Sequence, residues 1–394
     1  MLVNDIASYE NVLETVLLNS KKQAYKGYNK HDGLNSPFLY LFFGWSKWPR
    51  LIAIQSVMRC PVNVRPILGV KKSYNPKGLA LFVQAHLDQY SRSNSKNDLQ
   101  EAESLLELLI RIQSTGDWSG SAWGYHYPWQ DLDFYAKTNT PNAVVTAFVC
   151  EAFLEAFRIT GKQTYLDTVR SSIKYFLSDL IVLKNTEDEL CLSYMPIEMS
   201  MRVMDVSILI GTVIAQYCEL SSDNEHMNTA KKLVNFVINN QTEYGAWFYT
   251  DPPGDSFITH DNYHTGFILD ALWRYMQSSE DQTWMENYNK GLRYYYENLF
   301  TSEGAPRWMN DKKYPYDIHG AAQGILTFSR HNAEYPGMAE KILNWTLMNM
   351  YLNEGRFIYQ IHRRYRKNFT LLRWCNGWMS RAMAQLLLQR NLTS

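Results

Sequence analysis

Long apolar runs are missing from this chain, and so is any surplus of one charge. No stretch approaches the roughly 20 apolar residues that a membrane-spanning helix needs. The 39 Lys and Arg residues are balanced by 39 Asp and Glu. No basic run resembles a groove-binding arm, so nucleic acid is not an expected partner. Cysteine is scarce and scattered: Cys60, Cys150, Cys191, Cys218 and Cys375 form no CxxC pair and no Cys/His cluster. That excludes a disulfide framework and a structural zinc site. The opening MLVNDIASYENVLETVL lacks the basic start and apolar core of a signal peptide, so a cytoplasmic, reducing setting is expected. Walker loops, a GxGxxG after a strand, a GxSxG elbow and HExxH are absent. Aspartate clusters of the DDxxD or DxDD type are absent too. No cofactor and no metal is expected.

Aromatic side chains, by contrast, are abundant: 12 Trp, 27 Tyr and 17 Phe. Such rings either fill a large core or offer flat faces on which sugar rings stack. Their position along the chain must decide between the two.

The chain repeats. From residue 76 onward, helices that are apolar almost all round alternate with helices that carry one apolar stripe. The segment from Pro141 to Phe157 (PNAVVTAFVCEAFLEAF) is of the first kind and must be buried on most sides. The second kind is seen in Tyr165, Val169, Ile173, Phe176 and Leu180, with Asp167, Arg170 and Lys174 between them. Nearly apolar helices begin near Pro76, Pro141, Arg202, Asp261, Asp317 and Leu371, about 55–61 residues apart after the first, as in a helical-pair repeat. Amphipathic partners follow near Lys96, Lys162, Asn224, Asp281 and Tyr335. The expected fold is therefore all-α, an (α/α)6 toroid in a single domain, with residues 76–394 its helical-hairpin repeats and residues 1–75 the segment that closes the ring. The sixth inner helix, from Leu371 to Gln389, has no outer partner after it. Helices near Tyr9–Ser20 and Lys47–Cys60, within an N-terminal segment 1–75, are expected to fill that gap and close the ring. An open superhelix is the alternative.

Loops rich in glycine and aromatics precede the inner helices. Because the hairpins alternate in direction, these loops gather at one end, where the inner-helix N-termini bring free N–H groups and partial positive charge. The stretch Trp123-Gly-Tyr125-His126-Tyr127-Pro-Trp129-Gln130-Asp131-Leu-Asp133 reads either as a stacking platform with an acid–base pair, Asp131 and Asp133, or as a loop folded on its own aromatics. Asp261 and Asp317 sit where N-caps belong. Each also opens a dense polar turn, His260-Asp261-Asn262-Tyr263-His264 and Tyr316-Asp317-Ile-His319. Asp131, Asp261, Tyr263, His264, Asp317 and His319 are thus candidates for proton transfer. Trp123, Tyr125, His126, Tyr127, Trp129, Trp247, Trp308 and Trp374 are candidates for stacking on substrate. Arg364 and Arg373, from the runs His362–Lys367 and Arg373–Trp378, suit an anionic group such as a uronate carboxylate. The polar segments Tyr28–Ser36 and Asn63–Pro66 read equally as substrate contacts or as loop-tying hydrogen bonds.

Residues 76–390, with Gly-aromatic loops such as Trp123-Gly124 and Gly245-Ala-Trp247, resemble the (α/α)6-toroid proteins of carbohydrate chemistry. Asp261-Asn-Tyr-His-Thr-Gly266 and Arg373-Trp-Cys-Asn-Gly-Trp378 are similar to segments of toroid proteins associated with bacterial surface-polysaccharide production. Arg373-Trp374 also resembles the last helix of glucuronyl C5-epimerases, where an Asp-Tyr-His run follows; here Cys375-Asn376-Gly377 stands instead. The resemblance implies an enzyme acting on an oligo- or polysaccharide, with uronate residues expected, by glycosidic bond cleavage (hydrolase or lyase) or C5 epimerisation. A toroid of the terpenoid cyclase or prenyltransferase kind and a non-catalytic glycan-binding module are the alternatives.

Overall fold

The computed structural model describes residues 6–393. Within them lie fourteen α-helices and only short strand pairs. The inner helices are α4 (Pro76–Ser93), α6 (Ala143–Thr160), α8 (Met204–Ser221), α10 (Asn262–Ser279), α12 (Ile318–Ser329) and α14 (Trp378–Thr393). The outer helices are α5 (Lys96–Arg111), α7 (Gln163–Ser178), α9 (Met227–Ile238), α11 (Met285–Asn298) and α13 (Met338–Met350). Three more, α1 (Ile6–Lys22), α2 (Pro37–Phe43) and α3 (Lys47–Arg59), precede them.

The local chemistry of one hairpin explains the rest. Asn142 caps α6 by accepting from the Val145 N–H, and Gly161 ends it in the left-handed conformation that glycine adopts without strain. Between those stops nearly every side chain of α6 is buried, because it faces neighbours on both sides and the ring axis in front. The next helix, α7, buries one stripe (Tyr165, Leu166, Val169, Ile173, Phe176) and leaves its other face wet. Each fully buried Leu, Ile or Phe of this kind contributes about 1.5–3 kcal/mol.

Each inner helix packs on the next, and α14 packs on α4, so the inner ring is continuous. Its outermost remaining place is taken by α1, which lies against α14. The loop glycines show the equivalence. A Cβ on Gly245 would fall 2.6 Å from the Lys290 carbonyl oxygen of α11, and one on Gly355 would fall 2.5 Å from that of Thr15 in α1. Asn19 of α1 also donates to the Glu354 carbonyl at 3.0 Å. We infer that the described residues, 6–393, form one domain, with α1 as the sixth outer helix.

Two expectations are corrected. The second N-terminal helix, α3, does not fill the gap beside α14: it packs on the 3-10 turn Asp32–Asn35 and on the Trp129–Gln130 strand at the loop end. The last inner helix does not start as a regular α-helix at Leu371. Residues Arg373–Gly377 form a π-turn, with Gly377 N–H bonded to the Leu372 carbonyl at 2.8 Å. Single π-turns of this sort redirect side chains, often at functional sites.

Candidate active site

The second residue of successive inner helices is Lys77 in α4, Val144 in α6, Asp205 in α8, Tyr263 in α10 and His319 in α12. These positions converge on the axis. Below them Phe148, Phe267 and Trp378 form a triangle of rings, with centroid separations of 5.3, 5.3 and 5.4 Å. The Lys77 ammonium lies over all three, 3.7 Å from the Phe148 centroid, 4.5 Å from Phe267 and 5.2 Å from Trp378. An aromatic floor under a cation is favourable in itself, yet burial pulls the Lys77 amine well below its usual range, helped by Arg373.

Above this floor the imidazole of His319 stacks on Tyr263 (4.5 Å, 11°) and meets Trp374 edge-on (4.6 Å, 82°). Both of its nitrogens are buried without a hydrogen-bond partner. Burial, and then the charges of Lys77 and Arg373, push its pKa well below the ordinary histidine value. It is a neutral ring with two uncommitted nitrogens, a rarity because buried polar groups are normally paired.

His264 differs. Its Nδ1 lies 2.8 Å from Oδ2 of Asp261, the cap residue of α10, and its side chain retains some exposure. With Nδ1 engaged by the carboxylate, Nε2 is the ring nitrogen left free of Asp261. Asp317 accepts three donors: the His319 N–H (2.9 Å), the Trp374 indole (2.7 Å) and the Gln360 amide (2.6 Å). The strand pairing of Asp317 opposite Gln360 delivers that amide. Burial raises the Asp317 carboxyl above the usual carboxylate value despite those donors and Lys30. The charges of Asp317, Asp261 and Asp131 all act on Lys30, whose amine burial lowers. Lys30 sits over Trp374 at 4.3 Å and over Trp308 at 5.9 Å. The guanidinium of Arg373 lies over Trp374 and Tyr125, its Nε unpartnered.

Asp261, Tyr263, His264, Asp317, His319, Trp308, Arg373 and Trp374 therefore lie in one cluster at the loop end of the ring. The other expected residues are placed differently. Trp123 and Trp247 are fully buried behind the site, their indoles donating to the Leu109 and Val237 carbonyls of α5 and α9, so both lock hairpins rather than face a ligand. Tyr125 stacks on Tyr127 and meets Trp129 edge-on, and Trp129 in turn meets Phe134 edge-on and stacks on His31. They form a self-packed wall. His126 is half-buried, and burial lowers its pKa. Asp131 has its carboxyl raised by burial, then by Asp133. Asp133 itself is not its acid–base partner: it accepts from the Ser200 and Met201 N–H groups and ties down that loop. Arg364 is exposed at the tip of the Gln360–Lys367 hairpin, away from the buried groups. The polar N-terminal segments divide likewise: Arg65 and Asp32 pair at 2.6 Å, fully buried, holding the loop, while Lys30 reaches the site.

Lys77, Asp205 and Tyr249 belong to the site without having been singled out by sequence. Asp205 has an unpartnered Oδ1, and burial raises its carboxyl against the pull of His264 and Lys77. Tyr249 packs its ring on His264 at 4.5 Å. The available signal was positional, since Lys77 and Asp205 are charged residues in the first turn of otherwise apolar inner helices.

No protein-family model and no curated protein is similar to this sequence. Solved structures are. The cellobiose 2-epimerase of Bacillus thermoamylovorans superposes with a TM-score of 0.65 at 12% identity, over 82% of this chain and 90% of that one. A sugar epimerase from a ruminal bacterium gives 0.64 at 10% identity over the same shares. The Lin0763 protein from Listeria innocua gives 0.61 at 14% identity over 97% of each chain. The fold is the (α/α)6 toroid. In this toroid the site described above occupies the end of the ring axis where the inner helices begin.

Proposed function

We propose that this toroid is a carbohydrate-active enzyme that removes and returns a proton at a sugar carbon next to a carbonyl or carboxyl group. The observation that carries the reading is the contrast between its histidines and its carboxylates. Asp261 holds His264, Asp317 holds Trp374 and Gln360, and Asp133 holds a loop. Glycosidic hydrolysis needs two carboxyl groups free to act on opposite sides of the bond; Asp261, Asp317 and Asp133 are committed, and Asp205, with one unpartnered oxygen, does not by itself make such a pair. Two imidazoles, His264 oriented by Asp261 and His319 with uncommitted nitrogens, suit transfer of a carbon-bound proton from one face to the other. Lys77 and Arg373 supply positive charge where an enolate oxygen would develop.

In the forward step His264 Nε2 takes the proton as the electron pair moves onto the adjacent carbonyl oxygen. A proton relayed from water through His319 to the opposite face gives the epimer, and His264 releases the proton it took to water; loss of a leaving group from the neighbouring carbon instead gives an unsaturated sugar. Trp308 and Trp374 offer ring faces to the sugar. The similar epimerase structures agree with this chemistry. A uronate unit of a bacterial surface polysaccharide is the favoured substrate class, because its carboxylate suits the basic side chains Lys30, Lys77 and Arg373. The five free thiols, four of them buried, fit a cytoplasmic setting.

The test is incubation with aldose and uronate oligosaccharides in heavy water, read by mass spectrometry and NMR. Deuterium at one carbon with inverted configuration, or an unsaturated product, is expected. A gain of one water and no deuterium at carbon would mean hydrolysis and would overturn the reading.

A further inference from the structure

The segment between α1 and α4 carries a surface that the ring does not bury. No residue of α2 is buried. Phe38, Leu41, Phe42, Trp45, Trp48 and Ile52 are each more than half exposed. They are contiguous, since α2 packs on α3 and the edge of Phe38 lies beside Gly69, next to the exposed Ile67. Scattered exposed apolar residues need no explanation, but a patch of this density does.

Its charge is one-sided, unlike that of the chain as a whole. Between Asp32 and Asp88 there is no acidic residue, while Lys47, Arg50, Arg59, Arg65, Lys71, Lys72 and Lys77 fall in that stretch. Of these, Lys47, Arg59, Lys71 and Lys72 are exposed. Lys47 lies between Trp45 and Trp48, and Arg59 ends the same helix. Amphipathic aromatics interleaved with cations and free of carboxylates match the water–lipid boundary of an anionic bilayer. A symmetric contact between two copies would instead set these like charges against one another.

We propose that the α2–α3 face binds the surface of an anionic membrane, with Trp45, Trp48 and Phe42 entering the headgroup region and Lys47 and Arg59 meeting lipid phosphates. Among the described residues no helix is long and apolar enough to cross a membrane, so attachment is peripheral. The same face adjoins the mouth of the ring: Arg50 donates to Gln130 at 2.9 Å and lies over Tyr135. The binding does not depend on the proposed reaction.

Co-sedimentation of the full chain with vesicles of phosphatidylcholine alone, and of phosphatidylcholine mixed with phosphatidylglycerol, tests it. Binding to the mixed vesicles alone is expected, weakening as salt is added. Trp45→Ala with Trp48→Ala, and separately Lys47→Glu with Arg59→Glu, should each lower the bound fraction by about tenfold. Their melting curves should be unchanged, because all four side chains are exposed. Failure to bind the mixed vesicles would overturn the proposal. So would sedimentation as a dimer that the same substitutions dissociate, or retention of a partner protein in place of lipid.

Discussion

His264 and Asp261 are hydrogen-bonded across the first turn of α10, Nδ1 to Oδ2, at 2.8 Å. The carboxylate fixes the ring's tautomer and orientation, so its removal should act through the imidazole. Asp261→Asn is expected to lower turnover by about 10²–10⁴-fold, with KM changed far less. His264→Ala should lose at least as much. Proton exchange at the wild-type rate in Asp261→Asn would show that this pair does not carry the chemistry.

His319 predicts a pH dependence. Its folded pKa is depressed by burial, so below about pH 6.5 the unfolded chain takes up a proton that the folded ring refuses. The stability it contributes is complete above that pH and is lost as pH falls toward the folded value, by at most about 1.4 kcal/mol per pH unit. Calorimetric melting of wild type and His319→Asn between about pH 7 and about pH 5 should show the larger loss in wild type. Equal losses in both would mean that the ring is not held neutral.

Lys77→Met separates function from stability. The substitution keeps the length of the stem and removes a buried cation whose desolvation is costly. The melting temperature should stay level or rise, while turnover falls by about 10²-fold or more through loss of charge at the developing oxyanion. Full activity in a well-folded Lys77→Met would remove this residue from the reaction.

Gly355→Ala tests the place of α1. With φ at +73° and the Thr15 carbonyl 2.5 Å from the new Cβ, the methyl group must strain the loop and push α1 outward. A loss of about 1–3 kcal/mol is expected, read as a lower melting temperature. An unchanged midpoint would mean that α1 is not firmly docked.

The hairpin repeat was legible because burial leaves a pattern: α6 and α8 are apolar all round, whereas α7 and α9 show one stripe. The turns at Asp261 and Asp317 were legible because polar residues crowd a helix start. The roles of the tryptophans were not. Trp123 and Trp374 both follow or flank glycine-rich turns, yet one locks a hairpin and the other faces the site, and only the path of the backbone separates them. Lys77 and Asp205 were missed because a single charge in an apolar helix has no periodicity; it gains meaning once the repeats are aligned and its position is seen to recur.

The rings of Phe148, Phe267 and Trp378 meet across the ring axis and separate the loop-end cluster from the cavity lined by Glu151, Asp270, Arg274, Arg330 and Arg381. On the proposed function, a polysaccharide would not thread along the axis, and the protein would act on chain ends or loops that reach the cluster, letting go of the polymer after each event. Substrate would then enter and product leave at the same loop end, so the two exclude one another and accumulated product would slow the reaction competitively.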